Sequence, residues 1–172
     1  MKFLPYDSFE IETSFPLEDT IASLKSNVEP KRWLRFSRNH KIFEGEVARD
    51  SFKIMRIIHY RNSFLPIIRG TFQQCRTGVK VIVRMGLHPF VIAFIYIWFG
   101  GVGIGIIAFL KQLLRNQIQP SPMIFIPFAM LLFGWALVSG GFWFEARKVK
   151  ILLNDILQRK TTSEQANPVD TG

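Results

Sequence analysis

Two uninterrupted apolar runs of 22 residues each, Pro89 to Leu110 and Met123 to Phe144, constrain this chain more than any other feature. Neither contains a charged side chain, and only twelve residues join them. At a rise of ~1.5 Å per residue, each run makes a helix of about 33 Å, enough to cross a hydrocarbon core of about 30 Å. The pair reads as a transmembrane hairpin.

The formal charge of +9 is unevenly distributed. Residues 1–30 carry two basic and six acidic side chains, whereas residues 31–88 carry thirteen basic and three acidic ones. A basic block directly before a membrane span fixes orientation and attracts anionic headgroups, at roughly 1 kcal/mol per nearby basic residue. The first run is preceded by Arg69, Arg76, Lys80 and Arg84, and the second is followed by Arg147, Lys148, Lys150, Arg159 and Lys160. The connection holds only Lys111 and Arg115. Both termini are therefore expected in the cytoplasm, with the short loop outside. With a span adjacent, a lipid surface explains the basic block better than nucleic acid does, and no nucleic-acid partner is expected. MKFLPYDSFEIE has no apolar run and several acids, so it is read as retained rather than as a signal peptide.

Leu17, Ile21, Leu24 and Val28 fall on one stripe of a 3.6-residue period, and Pro16 suits the first helical position. A short amphipathic helix is expected there. From Trp33 to His88 the pattern changes to strand. Phe43, Gly45 and Val47 mark one strand. Phe52 to Tyr60 marks another, with Lys53 and His59 on one face and Arg56 on the other. After a turn at Arg61-Asn62-Ser63, Phe64 to Gln74 can return, with Pro66 restricting it to an edge or a strand start and Gly70 suggesting a bulge. Beyond a turn at Arg76-Thr77-Gly78, Val79, Val81, Val83, Met85 and Leu87 alternate with Lys80, Ile82, Arg84, Gly86 and His88. This is the clearest strand in the chain.

The second apolar run continues into FWFEARKVKILLNDILQRK without a breaker. Val149, Leu152, Leu153, Ile156 and Leu157 form a wide apolar stripe that needs a partner, and the sheet needs a cover. The expected fold is an α+β membrane protein, with a transmembrane helical hairpin inserted between a small antiparallel β-meander of about four strands and a C-terminal amphipathic helix. Its parts are an N-terminal segment with the short helix (1–32), a cytoplasmic meander (33–88), membrane helices (89–110 and 123–144) around an external loop (111–122), an amphipathic helix on the sheet (145–160) and a disordered tail (161–172).

Little in the chain points to catalysis. FGGVGIG lacks the third glycine of a dinucleotide fingerprint and lies inside an apolar run. Gly101, Gly105 and Ala108, with Ala136 and Gly140 as counterparts, instead suit close helix packing, within the hairpin or between copies. Trp98 and Trp135 lie near mid-span, where they fill space against small residues, and Trp143 fits an interfacial belt. His40, His59 and His88 are dispersed, and the lone Cys75 has no partner base. No catalytic set, metal site or cofactor is expected, and the chain is read as non-enzymatic. Arg56, Arg61 and Arg69, with Lys80 and Arg84, are the candidate contacts to lipid phosphate or an acidic partner, because guanidinium forks and ammonium groups bind such anions.

FEGEVARDSFKIMRIIHYRNSFLPIIRG, followed by GVKVIVRMGLHPF and an apolar span, resembles an uncharacterised family of small bacterial two-pass membrane proteins. The resemblance covers roughly Phe43 to Phe90 and implies the two-pass plan but no activity, cofactor or catalytic residue. The meander with its closing helix is also similar in plan to pleckstrin-homology-like membrane modules, a likeness of fold that carries no function. The expected function is a membrane-anchored binding or scaffold subunit that engages anionic lipid or a membrane protein complex through its basic module. The alternative is a homo-oligomeric channel or transport accessory that associates through the glycine-rich faces.

Overall fold

The computed structural model describes residues 5–30, 41–58, 60, 62–115, 122 and 125–158. Arg61, residues 33–40 with His40, His59, half of the expected external loop and the tail expected at 161–172 lie outside them. In chain order the elements are β1 (Tyr6–Thr13), α1 (Leu17–Ser26), β2 (Val28–Glu29), β3 (Phe43–Val47), β4 (Ser51–Arg56), β5 (Ile67–Cys75), β6 (Gly78–Gly86), α2 (Pro89–Leu114) and α3 (Phe125–Gln158).

The strands form one six-stranded sheet in the order β1-β6-β5-β4-β3-β2, antiparallel except for the β2–β3 pair. This corrects the expected meander in two places. The acidic N-terminal segment supplies β1, which pairs with β6 from Tyr6↔Gly86 to Thr13↔Val79, and Val28 leaves α1 to enter β2. Pro16 stands at the helix cap rather than in the first turn. The second expected strand stops at Arg56, and the third starts at Ile67, directly after Pro66. Proline lacks the N–H that a central strand such as β5 must donate, which sets that start.

Gly70 makes no bulge, since it lies in unbroken register between Phe52 and Val83. A Cβ there would stand 2.1 Å from Cζ of Phe52, so the missing side chain is the space the ring occupies. At the β5–β6 hairpin, Cys75 pairs with Gly78 across the two-residue turn Arg76-Thr77. Gly78 sits at φ +141°, a region that side chains rarely adopt.

Period-two alternation gives the sheet two unlike faces. The inner face carries Phe9, Ile11, Phe43, Phe52, Ile54, Ile68, Phe72, Val79, Val81, Val83 and Met85, all buried. Covering them are Ile21 and Leu24 of α1 and Phe142, Ala146, Val149, Leu153, Ile156 and Leu157 of α3. A hydrogen bond from Ser23 Oγ to the Ile156 carbonyl (2.8 Å) ties the two helices. Leu153 and Val81, both fully buried, belong to this one core.

α3 runs 34 residues without interruption, so the apolar segment and the core-covering segment are one rod of about 51 Å. α2 and α3 are both long and apolar enough to span a membrane. None of α2 is buried, and Phe90, Tyr96, Ile97 and Ile104 are each at least 70% exposed. Apolar surface on that scale needs a non-aqueous neighbour. His88 caps α2, its Nδ1 accepting from the Phe90 N–H at 3.2 Å, and Pro89 occupies the first turn, where its missing N–H costs nothing.

Candidate functional site

The outer face of the sheet has no helix over it among the described residues, and register arranges its side chains in rows. Nearest α2 is a row of Tyr6, Gly86, Ile67 and Met55, apolar up to Glu44 at its β3 end. One step away along the strands lie Ser8, Arg84, Arg69, Lys53 and Glu46, each facing the next across adjacent strands. Strands are spaced about 4.8 Å apart, so three cations stand side by side on this second row. Further out, Lys80 Nζ pairs with Glu10 at 2.7 Å. That hydrogen bond holds the Lys80 ammonium above its ordinary pKa, with desolvation acting the other way.

Like charges directly opposite one another destabilise a sheet. Arg69 faces Lys53 on one side and Arg84 on the other, and all three are exposed. Among the described residues no ion pair neutralises Arg69 or Arg84. A groove of about 930 Å³ runs over this row and on past Tyr6, Ile67 and Leu87 to Pro89 and Ile92 at the start of α2. Its surface therefore passes without a break from cationic sheet to apolar helix. It suits an amphiphilic anion.

A second polar cluster lies on the inner side, where the β4–β5 connection crosses α3. Glu145 is fully buried one residue beyond the apolar run. Its Oε2 accepts from Arg56 Nη1 at 2.7 Å, its Oε1 accepts from the Tyr60 hydroxyl, and Lys148 Nζ stands 3.8 Å away. Lys148 also sits 3.8 Å from the Phe144 ring centroid. Bonding to the Glu145 carboxylate is the largest cause that pushes the Tyr60 phenol above its ordinary pKa, because a phenolate would have no proton to donate there.

One turn earlier on the same helix face, Gly141 lets the connection approach closely. A Cβ there would come within 2.9 Å of the Phe64 ring. Asn62 locks the crossing, its Nδ2 donating to the Gly141 carbonyl (3.2 Å) and its Oδ1 accepting from the Phe64 N–H (3.0 Å). The cluster joins the apolar part of α3 to the sheet, and its charges face inward.

The residues singled out from sequence thus separate. Arg69 and Arg84 meet on the outer row, Lys80 is engaged with Glu10, and Arg56 is committed to Glu145 on the opposite face. Gly101, Gly105, Ala108, Ala136 and Gly140 are all exposed within the chain. Nothing lies within 4 Å of a Cβ built on Gly101, Gly105 or Gly140. The α2–α3 contact instead sets Gly134 against Trp98 and Phe99, a small residue accepting two large rings.

Sequence reasoning did not single out Lys53, Tyr6 or Glu145. Lys53 and Tyr6 join the groove only through strand register, whereas Glu145 was signalled by an acid directly abutting an apolar run. No group of His, Cys, Asp and Glu among the described residues could hold a metal ion. Comparison with protein-family models, with curated proteins and with solved structures finds no match for the chain.

Proposed function

We propose that this chain is a non-enzymatic, membrane-anchored binding module: α2 and α3 cross the bilayer, both termini are cytoplasmic, and the outer sheet face engages anionic lipid. One observation carries the proposal, the continuous surface from the Lys53–Arg69–Arg84 row to the exposed apolar flank of α2. Fixed cations beside a membrane helix meet the negative potential of the cytoplasmic leaflet, which falls off within about 10 Å at ordinary salt. The excess of basic residues flanking the two apolar runs supports the orientation.

Cys75, the chain's one cysteine, is exposed at the β5–β6 turn and serves as a native probe of sidedness. A membrane-impermeant maleimide is expected to label it only after cells are permeabilised; labelling in intact cells reverses the orientation. The full chain should resist alkaline extraction from membranes. In nanodiscs it should melt at higher temperature with phosphatidylglycerol than with phosphatidylcholine alone, and equal melting removes the lipid reading. Co-purification with a stoichiometric protein partner that shields Arg69 and Arg84 would replace lipid by a membrane complex.

The exposed stripe of Gly101, Gly105 and Ala108 favours a second reading, self-association into a channel or transport accessory. Detergent-solubilised protein that runs as a monomer, with no conductance in bilayers, excludes it.

A further inference from the structure

We propose that the outer groove seats one lipid at a time and selects a phosphomonoester headgroup, the phosphate lying across Arg69 and Arg84. This inference rests on the membrane-module reading and adds a ligand class to it.

Charge matching favours a phosphomonoester. Glu46 stands directly opposite Lys53 in the β3–β4 register, a single acid on a row with three cations. Arg69 and Arg84, paired with each other in the β5–β6 register, have no acid opposite them: their remaining neighbours on the row are Lys53 and Ser8. The row therefore holds two uncompensated guanidinium groups, a net charge of about +2 at one place. A phosphomonoester carries about −1.5 to −2 and three terminal oxygens, while a phosphodiester such as phosphatidylglycerol carries a single charge and two free oxygens. Two planar forks on neighbouring strands can each engage a pair of oxygens of one monoester. Ser8, opposite Arg84, adds a hydroxyl at the edge of the same row.

The shape of the groove favours a lipid. Arg84 precedes Pro89 by five residues, so the cations stand within about 17 Å of the first turn of α2. A phosphate held there must be connected to the bilayer by something that tolerates an apolar wall. The intervening row provides that wall in Tyr6 and Ile67, and the groove continues to Pro89 and Ile92. A soluble anion would use the cations and leave the apolar row wet. A lipid drawn partly out of its leaflet uses both. The groove, at about 930 Å³, lies at the upper end of ordinary ligand sites of about 300–1,000 Å³.

The test uses the full chain in phosphatidylcholine nanodiscs doped with either phosphatidic acid, a monoester, or phosphatidylglycerol of the same acyl composition, with retained lipid counted by native mass spectrometry. Phosphatidic acid should be retained about tenfold better, and Arg69→Gln or Arg84→Gln should each remove most of that preference. The Arg69→Lys, Arg84→Lys double variant keeps the charge match but loses the forks, and should show a reduced preference, between the unmodified protein and the glutamine variants. Arg76→Gln, at the far turn of the sheet, should behave as the unmodified protein. Equal retention of the two lipids overturns the inference, as does a preference that survives both glutamine variants. Displacement of phosphatidic acid by millimolar glycerol 3-phosphate would assign the cations to a soluble phosphate ester and also overturns it. Any of these results, alongside firm membrane insertion and general stabilisation by anionic lipid, leaves the membrane-module reading standing. Recovery of the chain in a detergent-free supernatant removes both.

Discussion

Arg56 and the pair Arg69 and Arg84 lie on opposite faces of one sheet, and their surroundings differ as sharply as their positions. Arg56 turns toward the core and meets a fully buried carboxylate at 2.7 Å. Arg69 and Arg84 turn outward, exposed, with cations as neighbours. The first arrangement satisfies its charge within the chain and spends it on holding an element in place. The second leaves its charge unsatisfied at a small cost in stability, which is the condition for binding something else. Basic residues close together in sequence thus have different work, and the sheet's period-two alternation assigns it.

Removing the buried partner tests the contrast most severely. Glu145→Ala strands Arg56 and unties Tyr60, and should destabilise the chain by about 3–5 kcal/mol in denaturant or thermal melts in detergent. A loss below about 1 kcal/mol would mean that water already reaches the cluster. Gly70→Ala on β5 should cost about 1–3 kcal/mol, because the Phe52 ring fills the space a methyl would take. Tolerance of that change would mean that Phe52 can swing out of the core.

Alkaline titration is gentler. The Tyr60 phenol is raised above 10.0 by its bond to Glu145, so its contribution is intact below about pH 10 and lost as pH climbs through the folded value. Lys80, raised above 10.5 by Glu10, acts with the same sign in an overlapping window. Melting temperature should therefore fall above pH 10, and Tyr60→Phe should fall less steeply there; identical slopes would detach Tyr60 from the stability of the junction. The smallest effect belongs to the outer face. Arg69→Gln should change stability by no more than about 0.5 kcal/mol, toward greater stability as one of three crowded charges disappears. A large loss would place Arg69 among the structural arginines and erase the contrast.

Much of this plan was legible in the chain itself. Val79 to Leu87 announce β6 by strict alternation, and the stripe from Val149 to Leu157 predicts a helix face seeking cover. β1 was not legible, because only Phe9 and Ile11 among its inward residues are apolar, while Asp7 and Thr13 share their buried face. What defines it is pairing with a strand more than sixty residues later, which no local pattern encodes.

The cationic row divides in the same way. The two-residue turn at Arg76-Thr77 fixes Arg69 opposite Arg84, a consequence of hairpin geometry. The ten-residue connection before β5 allows many registers, so Lys53 could not be placed beside them from sequence. Glu145 looked like the first polar residue after an apolar run, and its burial depends on Arg56 arriving from 89 positions earlier.

One continuous helix of 34 residues joins the greasy end of α3 to the protein interior. Once one end is gripped by a bilayer, a tilt of about 10° moves the other end by about 9 Å, the lever arm being about 51 Å. The sheet cannot ignore such a movement, because Val149 and Leu153 are embedded in it. With α3 seated in a bilayer, thinning or bending of that bilayer would thus reach the sheet as torque, and paired spin labels on α1 and on the far end of α3 would register it as a change in separation.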